Sequence, residues 1–108
     1  MTSLEDMTEY LEKNLGKAIT GYISGLEYPR QKLSSMNNQF RTEAELRIQQ
    51  AYDSIRPIIE KYDSRTARAW LFGMNRGLNS EAPAYVIRHA KTLEELSDVV
   101  AIAKEFAN

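Results

Sequence analysis

The side chains that could carry out acid–base or metal chemistry are few in this sequence. His89 is the only histidine, and there is no cysteine to share a metal ion or to act as a nucleophile. Glu94, Glu95 and Asp98 could form a carboxylate site, but acidic residues are common at the start of a helix because they oppose its dipole. No glycine pattern matches a phosphate-binding loop. We therefore expect no enzyme activity, no metal and no cofactor, and a protein that acts by binding a macromolecule.

A second group of side chains has the composition of a DNA-reading helix. Residues 17–38 are predicted to form two short helices joined by a turn that contains Gly25, the arrangement of a helix-turn-helix. Arginine and lysine bind guanine or phosphate, asparagine and glutamine pair with adenine, and serine contacts phosphate. The alternative interpretation is a polar helix that simply faces solvent. The DNA-binding residues predicted here are Lys17, Arg30, Gln31, Lys32, Ser34, Ser35, Asn37, Asn38 and Arg41.

The elements that must position these side chains are predicted to be helices. Apolar residues recur at helical spacing, and no six-residue stretch alternates between apolar and polar side chains. Ser3 and Asp6 predict the start of a first helix that ends before Gly16. A third helix is predicted over residues 29–38, because proline suits a first helical turn. The second helix, over residues 17–24, is predicted to bury Ala18, Ile19, Tyr22 and Ile23.

The longest helix is predicted over about residues 43–62. Thr42 and Glu45 form a capping-box pair at its start, and Pro57 predicts a kink or a break within it. Ser64 is predicted to begin the next helix and Gly73 to end it. The side chains that this helix is expected to bury are Ala67, Trp70, Leu71 and Phe72.

Two further helices are predicted after a turn-rich segment at residues 74–80. The first carries Pro83 in its first turn and ends near Ala90, and the second spans residues 93–106 behind a capping box at Thr92. The side chains expected to face inward from the last helix are Leu93, Leu96, Val99, Val100, Ala103 and Phe106. The predicted fold is an all-α bundle of about six to seven short helices. Residues 1–108 would form one domain, with a helix-turn-helix-like part at 1–41 packed on 42–108.

Charge is distributed in blocks along the chain, although the net charge is only −1. Residues 16–41 and 64–93 are net basic, and the segments around them are net acidic, so folding could create a local positive surface. No apolar run has the length of a membrane helix, and the N-terminal residues are acidic, unlike a secretory signal. We expect a cytoplasmic protein.

Residues 44–88 carry motifs that resemble a known bacterial family. AELRIQQAY at 44–52 leads into TARAWLFGMN at 66–75, followed by Leu78 and Pro83. This is similar to the toxin-binding domain of the Xre/ParS/MbcA-type antitoxins, with its pattern A-x-x-W-L-x-x-x-N-P-x-L-x-x-x-x-P. LGKAITGYISG at 15–25 resembles the start of the helix-turn-helix in actinobacterial and phage members. Arg76 departs from the family, which usually has proline there, and Met36 stands where tryptophan is common.

The resemblance implies a non-catalytic antitoxin that binds double-stranded DNA as a homodimer. It also implies a partner, a RES-type toxin that consumes NAD, facing Arg88, Lys91 and the helix and tail at 93–108 that include Phe106. We interpret Trp70, Leu71, Asn75 and Pro83 as scaffold residues, because tryptophan fills a small core and asparagine and proline fix a turn. Two alternatives stay open. One is a phage or prophage DNA-binding regulator without a toxin, and the other is a protein-interaction module with a degenerate helix-turn-helix.

Overall fold

A computed structural model describes residues 3–25 and 38–108, with the backbone alone for residues 38–41. Six α-helices follow one another in these ranges, and a 3₁₀ turn at Arg76–Leu78 lies between α4 and α5. The helices are α1 (Leu4–Leu15), α2 (Lys17–Ser24), α3 (Asn38–Lys61), α4 (Ser64–Phe72), α5 (Pro83–His89) and α6 (Leu93–Ala107). The described ranges contain no strand, and the all-α prediction is confirmed. The third predicted helix, at 29–38, falls almost wholly outside them.

The long helix α3 is the centre of the bundle. It contacts α1, α2, α4, α5 and α6, and its most extensive contact is with α6. One continuous hydrophobic core joins all six helices, and the buried apolar residues that α3 gives to it are Ile48, Ala51, Ile55 and Ile58. No helix in the described ranges is long and apolar enough to cross a membrane.

The helix ends of α1 and α2 agree with the prediction. The Ser3 hydroxyl accepts the Asp6 backbone N–H at 3.1 Å, which caps the first turn of α1. Gly16 separates the two helices with a φ of +91°, and Gly25 ends α2 in the left-handed conformation with a φ of +83°. Side chains other than glycine rarely adopt such angles, so both glycines fix where these helices stop.

The buried face of α2 differs from the predicted one. Thr20, Ile23 and Ser24 are buried, whereas Ala18 is exposed and Ile19 and Tyr22 are half-buried. The Thr20 hydroxyl donates to Gly16 O and the Ser24 hydroxyl to Thr20 O, each at 2.8 Å. Hydroxyls satisfied within their own helix can be buried at little cost, so apolarity alone did not identify Thr20 and Ser24 as buried residues.

One prediction about α3 was wrong, and of the kink or break predicted at Pro57 the break is absent. The helix begins at Asn38, before Thr42, so Thr42 and Glu45 do not mark its start. It also continues through Pro57 to Lys61 without a break. Proline inside a helix costs about 3 kcal/mol, because it removes one hydrogen bond and crowds the preceding turn. Ile55 and Ile58 are fully buried on either side of Pro57. Burying two such side chains is worth about 3–6 kcal/mol, which is enough to keep the helix intact.

Side-chain caps fix the starts of α4 and α6. Asp63 Oδ1 accepts the Thr66 N–H at 2.7 Å, so α4 begins at Ser64 with Asp63 as its cap. The Thr92 hydroxyl accepts the Glu95 N–H at 3.3 Å, which confirms the predicted start of α6. Pro83 is the first residue of α5, where the missing N–H costs nothing.

The four residues that were interpreted as scaffold lie in the core or at the turn between α4 and α5. Trp70, Leu71 and Pro83 are buried. Asn75 Oδ1 accepts the Gly77 N–H at 2.9 Å and so caps the 3₁₀ turn, and Asn75 pairs with Glu81 in an isolated bridge. These four positions hold the turn between α4 and α5.

Besides Ala18, three large apolar side chains that were predicted to be buried are instead exposed. Phe72 is 50%, Leu93 56% and Phe106 42% exposed. Each lies at or near the end of its helix, where the neighbouring helices no longer cover it. Helical spacing places a side chain on the correct face, but it does not show how far the neighbouring helix extends.

Candidate functional site

Most of the predicted DNA-reading residues fall between Gly25 and Asn38, outside the described ranges. These are Arg30, Gln31, Lys32, Ser34, Ser35 and Asn37. Asn38 and Arg41 lie in the first turn of α3, where only the backbone is described. Lys17 is the first residue of α2 and is exposed. The described geometry therefore defines the two helix ends on either side of the segment that is predicted to read DNA.

The end of α2, from which this segment departs, is held by three separate groups. The Gly25 N–H donates to Gly21 O and Tyr22 O at 3.1 and 3.2 Å. Arg88 Nη1 of α5 donates to Tyr22 O at 2.8 Å, and its guanidinium lies 4.7 Å from the centre of the Tyr22 ring. Arg47 Nη1 of α3 donates to Ser24 O at 3.5 Å. Two arginines from different helices thus neutralise the negative C-terminal end of the α2 dipole.

Arg47 was not singled out from the sequence, because on α3 it resembles an ordinary charged surface residue. Its side chain is only 13% exposed, and its Nη2 donates to Ala90 O at 3.2 Å beyond the end of α5. Glu43 lies 3.6 Å away as an ion-pair partner one turn earlier. Its neighbours in the sequence could have indicated that Arg47 faces the core, because Ala44 and Ile48 are both buried and flank its position on the helix.

Exposed cations surround the junction between α1 and α2. Arg68 Nη1 donates to Asn14 O at 2.8 Å, and the Ser64 hydroxyl donates to Asn14 Oδ1 at 2.7 Å, so α4 is fastened to the end of α1. Lys13 and Lys17, on either side of this junction, are exposed, as is Arg68. The N-terminus of α2 has no side-chain cap. This corner, formed by Lys13, Lys17 and Arg68, could contact phosphate groups through point charges and a guanidinium.

The residues predicted to face a partner do not form one surface. Lys91 is exposed and follows Ala90, whose carbonyl contacts Arg47 in the third turn of α3. Phe106 packs against Tyr62 at the other end of α3, with ring centroids 5.7 Å apart. Tyr62, just beyond the end of α3, is fifteen positions after Arg47, a distance of about 22 Å along the helix axis. Arg88 lies near Lys91 but is half-buried and contacts Tyr22 within the chain.

Aromatic side chains lie at the end of α5, near Lys91, and at the end of α6, near Phe106. At the α5 end, the His89 ring stacks on Tyr85 with centroids 4.1 Å apart, and its Nδ1 lies 3.0 Å from Tyr85 O. At the α6 end, Phe106 also lies 6.4 Å from the buried Trp70. Tyr85 is 46% and Tyr62 50% exposed, so each place presents an aromatic surface to solvent.

The described residues contain no group of three or more His, Asp or Glu side chains that could hold a metal ion. A shallow, open depression of about 200 Å³ is lined by Gly77, Leu78, Asn79, Glu81, Val86, Glu95 and Asp98, and His89 is not among its lining residues.

Comparison with protein-family models, with curated proteins and with solved structures found no match.

Proposed function

We propose that the chain is a non-catalytic regulator of the antitoxin type, which binds double-stranded DNA through residues 17–41 and neutralises a RES-type toxin. The observation that carries the DNA-binding part is the construction of the α2 end. A short helix stops at a left-handed glycine, and side chains from α3 and α5 hold its last carbonyls. A segment rich in Arg, Lys, Gln, Ser and Asn follows at once. A rigid support followed by such a segment is what base and phosphate recognition requires.

The cations near α1 and α2 support the same interpretation. Lys17 is exposed at the start of α2, beside the uncapped N-terminus of that helix, where phosphate oxygens are favoured. Lys13 and Arg68 add positive charge at the same corner. The overall charge of −1 makes non-specific binding to polyanions weak, so the local distribution would have to direct the protein to DNA.

The toxin-binding part rests on the resemblance of residues 44–88 and on the exposed aromatic side chains. Phe106 and Tyr62 contact each other while remaining 42% and 50% exposed. Aromatic residues grouped on a surface are typical of protein interfaces. Lys91 adds a cation at the end of α5. The partner would then contact Phe106 and Tyr62 at one end of α3 and Lys91 at the end of α5.

DNA binding is tested by gel shift with a duplex from the region upstream of the chain's own gene. A random duplex of equal length serves as the competitor. We expect the upstream duplex to bind more tightly, and we expect Arg30→Ala with Lys32→Ala to weaken that binding by at least tenfold. Arg56→Ala with Lys104→Ala removes two exposed cations elsewhere and is the matched control. Equal, weak binding of both duplexes would contradict sequence-specific regulation.

Toxin binding is tested separately by affinity purification from the native host. Recovery of a RES-type protein, together with protection of growth when the two are expressed together, would support the antitoxin function. Specific DNA binding without any such partner would instead support a phage or prophage regulator. A partner protein recovered without DNA binding would indicate an interaction module.

A further inference from the structure

The guanidinium of Arg47 lies where the ends of two helices converge. Nη1 donates to Ser24 O, the last carbonyl of α2, and Nη2 donates to Ala90 O just beyond α5. Both are C-terminal ends, whose unpaired carbonyls carry partial negative charge. A single planar cation with several donors suits this geometry because it can serve two carbonyls at once.

The surroundings of Arg47 leave it little freedom to move. Its side chain is 13% exposed, and Glu43 lies 3.6 Å from Nη2. A Cβ atom built on Gly25 would lie 2.9 Å from Nη1, so the guanidinium lies directly against the backbone of the residue that ends α2. A buried cation in such contact fixes the position of that residue relative to α3.

We propose that Arg47 is a positioning residue for DNA recognition, which fixes the end of α2 by joining Ser24 and Gly25 to α3 and to the end of α5. This inference rests on the proposed function, because the segment that departs from Gly25 is the one assigned to DNA. The Arg47 guanidinium is engaged by Ser24 O, Ala90 O and Glu43, so we do not assign it to a phosphate group. Its removal should therefore change affinity without changing the number of ionic contacts.

The test compares Arg47→Met with Arg56→Met. Both substitutions remove one guanidinium from α3 and keep an unbranched side chain, but Arg56 is 48% exposed and pairs with Glu60 in the next turn. Binding of the upstream duplex is measured at several salt concentrations. Arg47→Met should weaken binding about tenfold. The slope of log K against log salt should stay that of the wild type, whereas Lys17→Ala should lower the slope by about one.

Amide hydrogen exchange supplies a measurement that does not require DNA. The Gly25 and Ala90 amides should exchange faster in Arg47→Met than in Arg56→Met, relative to amides in the middle of α6, which report global unfolding. Arg47→Lys keeps the charge, but its ammonium reaches only one of the two carbonyls. Its rates of amide exchange at Gly25 and Ala90, and its affinity for the upstream duplex, should therefore lie between those of the wild type and Arg47→Met. This variant also decides the question if Arg47→Met does not fold.

Wild-type affinity and unchanged Gly25 exchange in Arg47→Met would overturn the proposal, as would a salt slope lowered by one. If the wild-type protein binds neither duplex, the proposed function is wrong. Exchange at Gly25 and Ala90 then shows whether Arg47 fixes the end of α2, and unchanged rates would reject that as well.

Discussion

At the scale of single residues, local hydrogen bonds decide which polar side chains can be buried. Thr20, Ser24 and Ser54 are all buried, and each hydroxyl donates to a backbone carbonyl four residues earlier at 2.8 Å. Such a hydroxyl needs no partner from another helix, so it behaves as a small apolar group in packing. Arg47 is the opposite case, because its Nη1 and Nη2 donate to carbonyls 23 and 43 residues away.

Asp63 gives a prediction that depends on pH. Its pKa is lowered from the ordinary carboxyl value because it accepts hydrogen bonds from the backbone and side chain of Thr66, with smaller effects of Arg65 and Arg68. A lowered pKa in the folded state stabilises the protein above the ordinary pKa, and this contribution disappears as pH falls through the folded value. Asp63→Asn keeps a good cap but does not titrate.

The expected result concerns the slope of stability against pH. Between about pH 5 and pH 2, the free energy of unfolding should fall more steeply for the wild type than for Asp63→Asn. Urea unfolding at a series of pH values measures this. Parallel curves for the two proteins would show that the Asp63 cap contributes no pH-dependent stability.

At the scale of elements, the ends of helices determine how the bundle is assembled. Caps at Ser3, Asp63 and Thr92, and left-handed Gly25, define where four helices begin or end. The α5 helix begins at Pro83 without a side-chain cap, and α3 begins at Asn38, where the Thr42 pattern misled the prediction. Burial of apolar side chains along α3 outweighed both the capping pattern at Thr42 and the tendency of Pro57 to break a helix.

Replacing Pro57 tests this balance directly. Pro57→Ala restores a backbone N–H for the Asp53 carbonyl and removes the crowding of the ring, so it should stabilise the protein by about 2 kcal/mol. Loss of the proline also makes the unfolded chain more flexible, which offsets part of the gain. Pro83→Ala is the control, because Pro83 is the first residue of α5 and its replacement should give no such gain. Thermal unfolding measures both, and a lower Tm for Pro57→Ala would show that its ring contributes to packing.

At the scale of the whole molecule, the two surfaces assigned to a partner lie near opposite ends of α3. The end of α5 with Lys91 lies near the start of α3, and Phe106 lies near its end, about 22 Å away along the helix axis. A partner that contacts both must therefore be large. The same helix supports the end of α2 through Arg47.

Two substitutions test whether one partner spans both surfaces. Lys91→Glu and Phe106→Ser should each weaken binding to the co-purified partner by roughly tenfold, and their effects should add because the sites are far apart. Phe106→Ser should leave DNA binding unchanged, because Phe106 lies at the far end of α3 from Ser24 and Gly25. Lys13→Glu is the matched charge reversal on α1 and should leave partner binding unchanged. Titration calorimetry measures the affinities, and an effect from only one of the two positions would show that the partner covers a single surface.

Helix number, type and most boundaries followed from the sequence, because caps, glycines and apolar spacing act over only a few residues. Ser3, Gly16, Gly25, Gly73 and Thr92 each mark a boundary that the structure contains. The absence of cysteine and of a second histidine already argued against a thiolate or histidine-cluster metal site.

The tertiary structure alone decided which residues meet. Exposure of Phe72 and Phe106 depends on where neighbouring helices end, and the roles of Arg47 and Arg88 depend on carbonyls that are distant in the chain. Contacts of that kind arise from the packing of several helices at once, and no local pattern encodes them. The nine predicted DNA-binding positions follow from residue type alone, whereas the support beneath them, from Gly25 to Arg47 and Ala90, exists only in the folded molecule.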